Sequence, residues 1–234
     1  MTSIESNLQT VRDRISHACA VAGRDVKQVT LLAVSKTFGP EAVLQAVAAG
    51  QRDFGENYVQ EGVEKILALR QLQPAPSLRW HCIGPLQSNK TRLVAEHFDW
   101  VQSVDRLKIA QRLSEQRPAA LGPLQLCLQV NVDGGTNKSG VAPAELAALA
   151  QAVAQLPRLR LRGLMCIPEP ADTAAAQGAL FDRARALFDD LNRQGLALDT
   201  LSLGMSDDLD AAIASGSTLV RVGRAIFGSR SAKT

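Results

Sequence analysis

Aromatic residues are scarce in this 234-residue chain, where two Trp, one Tyr and six Phe make up only 4%. A core must therefore come from aliphatic side chains, and the 46% of hydrophobic residues is ample for a folded interior. A charge excess is also missing, since 26 Lys and Arg stand against 23 Asp and Glu, and the basic residues are scattered. That distribution lacks the concentrated basic face of a nucleic-acid binder. The one alternating basic run, RLRLR at 158–162, reads as a solvated strand start. No apolar run approaches the roughly 18 residues that span a bilayer, and charges interrupt the N-terminal segment where a signal peptide is continuously apolar. The expectation is a cytoplasmic protein without membrane contact.

Metal and redox motifs are absent as well. Cys19, Cys82, Cys127 and Cys166 have no CxxC spacing, and three of them lie in apolar, strand-like runs, so buried reduced thiols are the better reading than disulfides or zinc ligands. His17, His81 and His97 are too dispersed to complete a metal site, and His81 reads as a pocket or core histidine. Neither a GxSxG elbow nor a Walker loop occurs.

What is present is alternation. An opening amphipathic helix carries Ile4, Leu8, Val11, Ile15 and Ala18 on one stripe, with Thr2 and Glu5 spaced as a capping box. Then β-rich runs alternate with helical patterns: TLLAVSK (30–36), DFGEN, LRWHCIG, WVQSV, LQLCLQVNV, LRLRGLMCI, LDTLSLG and TLVRVG. Eight such units at about 25–30 residues each predict a (β/α)8 TIM-type barrel, a single domain over 1–234 with an extra N-terminal helix packed across its lower end. A doubly wound open sheet is the competitor, disfavoured because the eight alternations leave no edge strand or second domain.

In such a barrel the ligand site lies at the C-terminal strand ends. Lys36 ends the first strand on the face of Thr30, Leu32 and Val34, which is the inward face, where an amine can add to a carbonyl. The competing reading is a lysine that reaches solvent at the mouth or pairs with Glu56. Lys90 and Lys138 are weaker candidates. The turns LGMSDD and RVGRAIFG follow strands seven and eight, where barrels frequently hold phosphate, and their glycines let backbone N–H groups approach an anion. Ser206 can add a hydroxyl, while Asp207 or Asp208 caps the next helix. Equally, glycines there can simply close turns. Arg221 shares a strand face with Leu219 and Gly223, so it can donate to a ring nitrogen or pair with a barrel carboxylate. A reactive-type lysine at one end and phosphate turns at the other suggest a phosphorylated aldehyde, of which pyridoxal phosphate is the obvious case.

The motifs AVSKTF (33–38), FGENYVQE (54–61), WHCIGPLQSNK (80–90), QVNV with NKSG, GLMCIP, LSLGMSDD and VRVGRAIFG resemble the pyridoxal-phosphate homeostasis proteins, single-domain relatives of the alanine racemase barrel domain. The resemblance runs through nearly the whole chain. It implies a Schiff base at Lys36, phosphate contacts from Ser206 and the Gly223–Arg224 backbone, Arg221 near the ring nitrogen, and Asn57, His81 and Met165 lining the pocket. The chain departs from the family pattern at Cys82, where an aromatic is common, and at Arg224, where a small hydroxyl residue is common. Alanine racemase brings a second acid/base group, a tyrosine, from an additional β domain, and the only tyrosine here is Tyr58. The resemblance thus implies a monomeric, non-catalytic carrier that buffers the cofactor and delivers it to apoenzymes. The alternatives are a racemase-like enzyme and a cofactor-free Schiff-base aldolase.

Overall fold

The computed structural model describes residues 3–72, 77–135 and 139–228. Eight parallel strands run in sequence order: β1 (Thr30–Val34), β2 (Asp53–Glu56), β3 (Arg79–Cys82), β4 (Trp100–Val104), β5 (Leu124–Gln129), β6 (Leu159–Met165), β7 (Thr200–Ser202) and β8 (Leu219–Val222). Strand β8 pairs with β1, with Leu32 opposite Arg221, so the sheet closes and the open-sheet alternative falls. Outside the strands lie α1 (Ile4–Val21), α2 (Pro40–Ala48), α3 (Val59–Arg70), α4 (Thr91–His97), α5 (Leu107–Gln116), α6 (Pro143–Ala154), α7 (Ala174–Arg193), α8 (Leu209–Ala214) and α9 (Arg224–Phe227). Local chemistry sets their starts. Pro40 and Pro143 occupy first helical positions, where a missing N–H costs nothing, and the Thr173 hydroxyl accepts from Ala176 N at 3.1 Å.

Helix α1 departs from expectation in two ways. Its cap is Ser3, whose hydroxyl accepts from Ser6 N at 3.1 Å, while Thr2 lies outside the described residues. Nor does α1 cross the lower end of the barrel. It stands in the outer ring against α2, α8 and α9, because α8 and α9 have only six and four residues and leave that sector uncovered. Asn7 Nδ2 donates to the Ile226 carbonyl at 2.9 Å, and Arg14 Nη1 to the Ser206 carbonyl at 2.5 Å, so α1 braces the loops after β7 and β8.

Two cores result. The larger fills the space between strands and helices, with Leu8, Phe54, Phe98, Leu126 and Phe181 fully buried. A small one of Leu32, Val34, Ile83 and Leu219 sits within the barrel. The rest of the interior is unlike the stacked Val, Ile and Leu layers usual in this fold, because His81, Gln102, Ser202 and Arg221 are buried there. All four cysteines are free and buried, and burial pushes the thiols of Cys82, Cys127 and Cys166 up to about 12. Among the described residues no cluster of His, Cys, Asp or Glu could hold a metal, and no helix is long and apolar enough to cross a membrane.

Candidate functional site

A cleft of about 360 Å³ opens at the C-terminal ends of the strands. Six of the eight residues expected there line it: Lys36, Asn57, Ser206, Arg221, Gly223 and Arg224. The walls are completed by Val34, Ile83, Ile167, Met205 and Asp207.

Lys36 follows β1 by two residues and is half-buried. Its segment is tied down from the outer layer. Ser35 N donates to the Gly55 carbonyl at 3.0 Å, and Thr37, a non-glycine residue at φ 69°, donates its N–H to Glu61 Oε1 at 2.5 Å. Glu56 is fully buried and faces the helices, where its Oε1 accepts from Ser35 Oγ and Lys65 Nζ, both at 2.6 Å. Lys65 also donates to the Ser35 carbonyl at 2.9 Å. Burial pushes the Glu56 carboxyl up, and the Lys65 ammonium and Ser35 hydroxyl oppose that push. The pairing of Lys36 with Glu56 therefore does not form, because Lys65 holds that carboxylate from the opposite side of the sheet. Among the described residues no carboxylate pairs with Lys36.

Arg221 is 3% exposed, yet lines the cleft. Nη1 donates to the Ser202 carbonyl at 2.8 Å and to Ser202 Oγ at 2.7 Å, and Nη2 donates to the Cys166 carbonyl at 2.9 Å. The ion pair with a barrel carboxylate does not occur. Burial pushes the guanidinium down, but it is held as a cation by neutral oxygens. Of its five N–H groups, two have no partner in these bonds.

The remaining wall is built by close backbone approach. A Cβ on Gly223 would stand 3.3 Å from the Val34 carbonyl, and one on Gly84 would meet the Asn57 carbonyl at 2.1 Å. Asn57 Oδ1 is buried without a hydrogen-bond partner. In the loop after β7, Gly204 has φ +88°, which glycine adopts freely. Asp208 stands at the start of α8 without capping it, since Oδ1 turns back to accept from Met205 N at 2.6 Å. The Arg224 guanidinium lies toward solvent, 3.2 Å from Asp207 Oδ2, with both side chains exposed.

Two expected lining residues are elsewhere. His81 is buried one inward layer below Ile83 and belongs to a cleft of about 710 Å³ at the opposite, N-terminal end of the barrel. It stacks on Trp100 with ring centroids 5.1 Å apart and accepts at Nδ1 from Gln102 Nε2 at 3.0 Å. Its Nε2 is 3.4 Å from Asp53 Oδ1, too long for a good hydrogen bond, so the ring is held chiefly from Nδ1. Met165 is fully buried, and Ile167, two residues on, lines the cleft in its place. Lys90 ends a short 3-10 helix outside the cleft, and Lys138 lies outside the described residues. Tyr58 is 56% exposed and does not line the cleft.

The family model for the alanine racemase N-terminal domain matches residues 3–231. A protein of Pseudomonas aeruginosa named pyridoxal phosphate homeostasis protein is 62% identical over 230 residues, covering 98% of this chain and 97% of that one. One of the same name from Escherichia coli strain K12 is 55% identical over 230 residues, covering 98% of each chain. The structure of PipY from Synechococcus elongatus with PLP bound superposes with a TM-score of 0.80 at 42% identity, covering 92% of this chain and 100% of that one. By extent and identity of these matches, the chain belongs to the alanine racemase N-terminal domain family and, within it, to the pyridoxal phosphate homeostasis proteins.

Proposed function

We propose that this protein binds pyridoxal 5'-phosphate in the cleft at the C-terminal mouth of the barrel, buffers it, and releases it to other amines and apoenzymes without turning over amino acids. The observation that carries the reading is the pairing, in one cleft, of a lysine free of carboxylates with a buried guanidinium that keeps unused donors. The residues fit the group. Asn57 Oδ1 is an orphaned buried acceptor, and the bare Gly223 backbone leaves room that a side chain would fill. When bound, the cofactor supplies an aldehyde that condenses with an amine with loss of water and returns by the reverse reaction or by exchange with another amine. Lys36 is the amine proposed to hold it. Ser206 and the Gly223–Arg224 backbone would bind the phosphate, with Arg14 steadying the Ser206 carbonyl from α1.

Two features favour a carrier over a racemase. Arg221 can only donate, so it leaves a ring nitrogen unprotonated and weakens the electron sink that racemisation needs. Tyr58 is too exposed and too far outside the cleft lining to serve as a second acid/base group. The test is borohydride reduction of the loaded protein followed by peptide mapping. The expected result is one pyridoxyl group on Lys36 and none in Lys36→Ala, whereas labelling of Lys90 or Lys138 in its place overturns the assignment. Racemisation of D- or L-amino acids that depends on Lys36 and Tyr58 overturns the carrier reading. Transfer to an apoenzyme in the presence of a trap for free cofactor supports delivery, and failure of that transfer removes it.

A further inference from the structure

Behind Arg221 a line of buried polar groups runs down the barrel axis. Arg221 Nη1 donates to Ser202 Oγ at 2.7 Å, Ser202 Oγ donates to Gln102 Oε1 at 2.7 Å, and Gln102 Nε2 meets His81 Nδ1 at 3.0 Å. Beyond His81 lies Asp53, which Arg79 grips through Nε and Nη2 at 2.5 and 2.6 Å. Ser202 and Gln102 are fully buried and His81 is 1% exposed. They come from β7, β4 and β3, and the line joins the upper cleft to the lower one.

We infer that Ser202, Gln102 and His81 are positioning residues, forming a one-way hydrogen-bond chain that holds Arg221 in place without neutralising it and so governs how its guanidinium meets an acceptor in the cleft. The inference rests on the reading of the cleft given above. Its polarity follows from donor and acceptor inventories. A guanidinium has no acceptor, so Ser202 Oγ must accept from it and point its own hydrogen onward. Gln102 must then turn its carbonyl to Ser202 and its amide hydrogens to His81. Nδ1 of His81 is therefore the bare nitrogen, and the ring proton sits on Nε2, facing Asp53. A neutral ring is required. Burial pushes the His81 pKa down, which favours that form. The charged groups around the ring are Asp53 and Asp99, which oppose this push, and Arg79, which adds to it.

A carboxylate could anchor Arg221 as firmly, but it would cancel the charge that the cleft uses. Neutral oxygens from Ser202 and Cys166 anchor it and leave the cation available. This accounts for polar residues where an ordinary barrel interior is packed with aliphatic layers, since Arg221, Ser202 and Gln102 each find hydrogen-bond partners within the chain.

Two measurements test the chain. Nitrogen-15 NMR of the unloaded protein, with His81 assigned by a His81→Gln variant, should show a neutral imidazole protonated at Nε2 at neutral pH. An Nδ1–H tautomer or an imidazolium overturns the polarity. Second, Gln102→Leu and Ser202→Ala should weaken pyridoxal 5'-phosphate by about tenfold, as loss of an anchoring hydrogen bond does, and shift its visible band. Both should have little effect on an analogue with carbon in place of the ring nitrogen. Equal losses for cofactor and analogue would mean a merely structural role and overturn the inference; two variants guard against one failing to fold. If neither ligand binds the unaltered protein, the reading of the cleft fails instead, and the tautomer still decides the chain.

Discussion

Replacing Lys65 by Met should make stability fall more steeply with rising pH than it does in the unaltered protein, where burial already holds the Glu56 pKa above its ordinary value. The Lys65 ammonium is buried between Glu56, Glu61 and the Ser35 carbonyl, and its side chain is 3% exposed. Without it, the fully buried Glu56 carboxylate keeps only the Ser35 hydroxyl as a partner, since its second oxygen already has none. An unpaired buried charge costs about 3–5 kcal/mol. The carboxyl can escape that cost by taking up a proton, so the loss is capped by the work of protonation. From an ordinary carboxyl pKa of about 4.3, that work is about 3.7 kcal/mol near pH 7 and about 1 kcal/mol near pH 5. Because loss of Lys65 moves the folded pKa further above the unfolded one, the variant's stability is greatest at low pH and falls as pH rises toward the folded value. Urea unfolding followed by circular dichroism at both pH values measures this. A destabilisation of up to about 3–4 kcal/mol at the higher pH, shrinking by up to roughly 2–3 kcal/mol at the lower, is expected. The double variant Lys65→Met, Glu56→Gln should recover most of the loss and its pH dependence should vanish. An equal loss at both pH values would refute the argument, since Glu56 would then not be the group that suffers.

Two further outcomes follow from the same geometry. Burial opposes ionisation of Asp53, but the two hydrogen bonds from Arg79, with the His81 ring close by, outweigh it and bring its pKa to about 2. Stability from this group is present above its unfolded pKa of about 3.9 and is lost as pH falls toward 2, and Asp53→Asn should remove that acid-limb slope in unfolding measurements. At the cleft, Gly223→Val should weaken pyridoxal 5'-phosphate binding more than Ser206→Ala in a titration, because a side chain there crowds the Val34 carbonyl 3.3 Å from its Cβ, whereas the serine change removes one donor. The opposite order would locate the phosphate away from the Gly223 backbone.

Strand-face parity was legible in the sequence, and height along the barrel was not. Alternation in TLLAVSK directs Lys36 inward, and alternation in TLVRVG does the same for Arg221, because side chains on a strand change face at every residue. His81 also has inward parity, but it pairs with Trp100, the first residue of β4, and Trp100 pairs with Gln125 near the start of β5. The register descends around the barrel, so His81 sits at the lower end while Ile83, one inward step higher, reaches the cleft. That stagger is a property of the closed sheet, which no local pattern displays. Helix α1 has the same limitation: its stripe of Leu8, Val11, Ile15 and Ala18 announces burial, but which neighbours bury it depends on the shortness of α8 and α9.

The axial chain lay furthest from view, for a related reason. Gln102 and Ser202 are one hundred positions apart, and each looks locally like an ordinary polar residue in a short strand. A buried glutamine at inward parity within WVQSV demands partners for both ends of its amide. Neither partner is near in sequence, so the demand can be met only when β4 stands across the interior from β7 and beside β3. Barrel closure thus does more than shelter the aliphatic core. It brings a serine, a glutamine and a histidine from distant strands into a single file beneath Arg221, where a sequence of hydrogen-bond donors is completed that no consecutive segment of the chain contains.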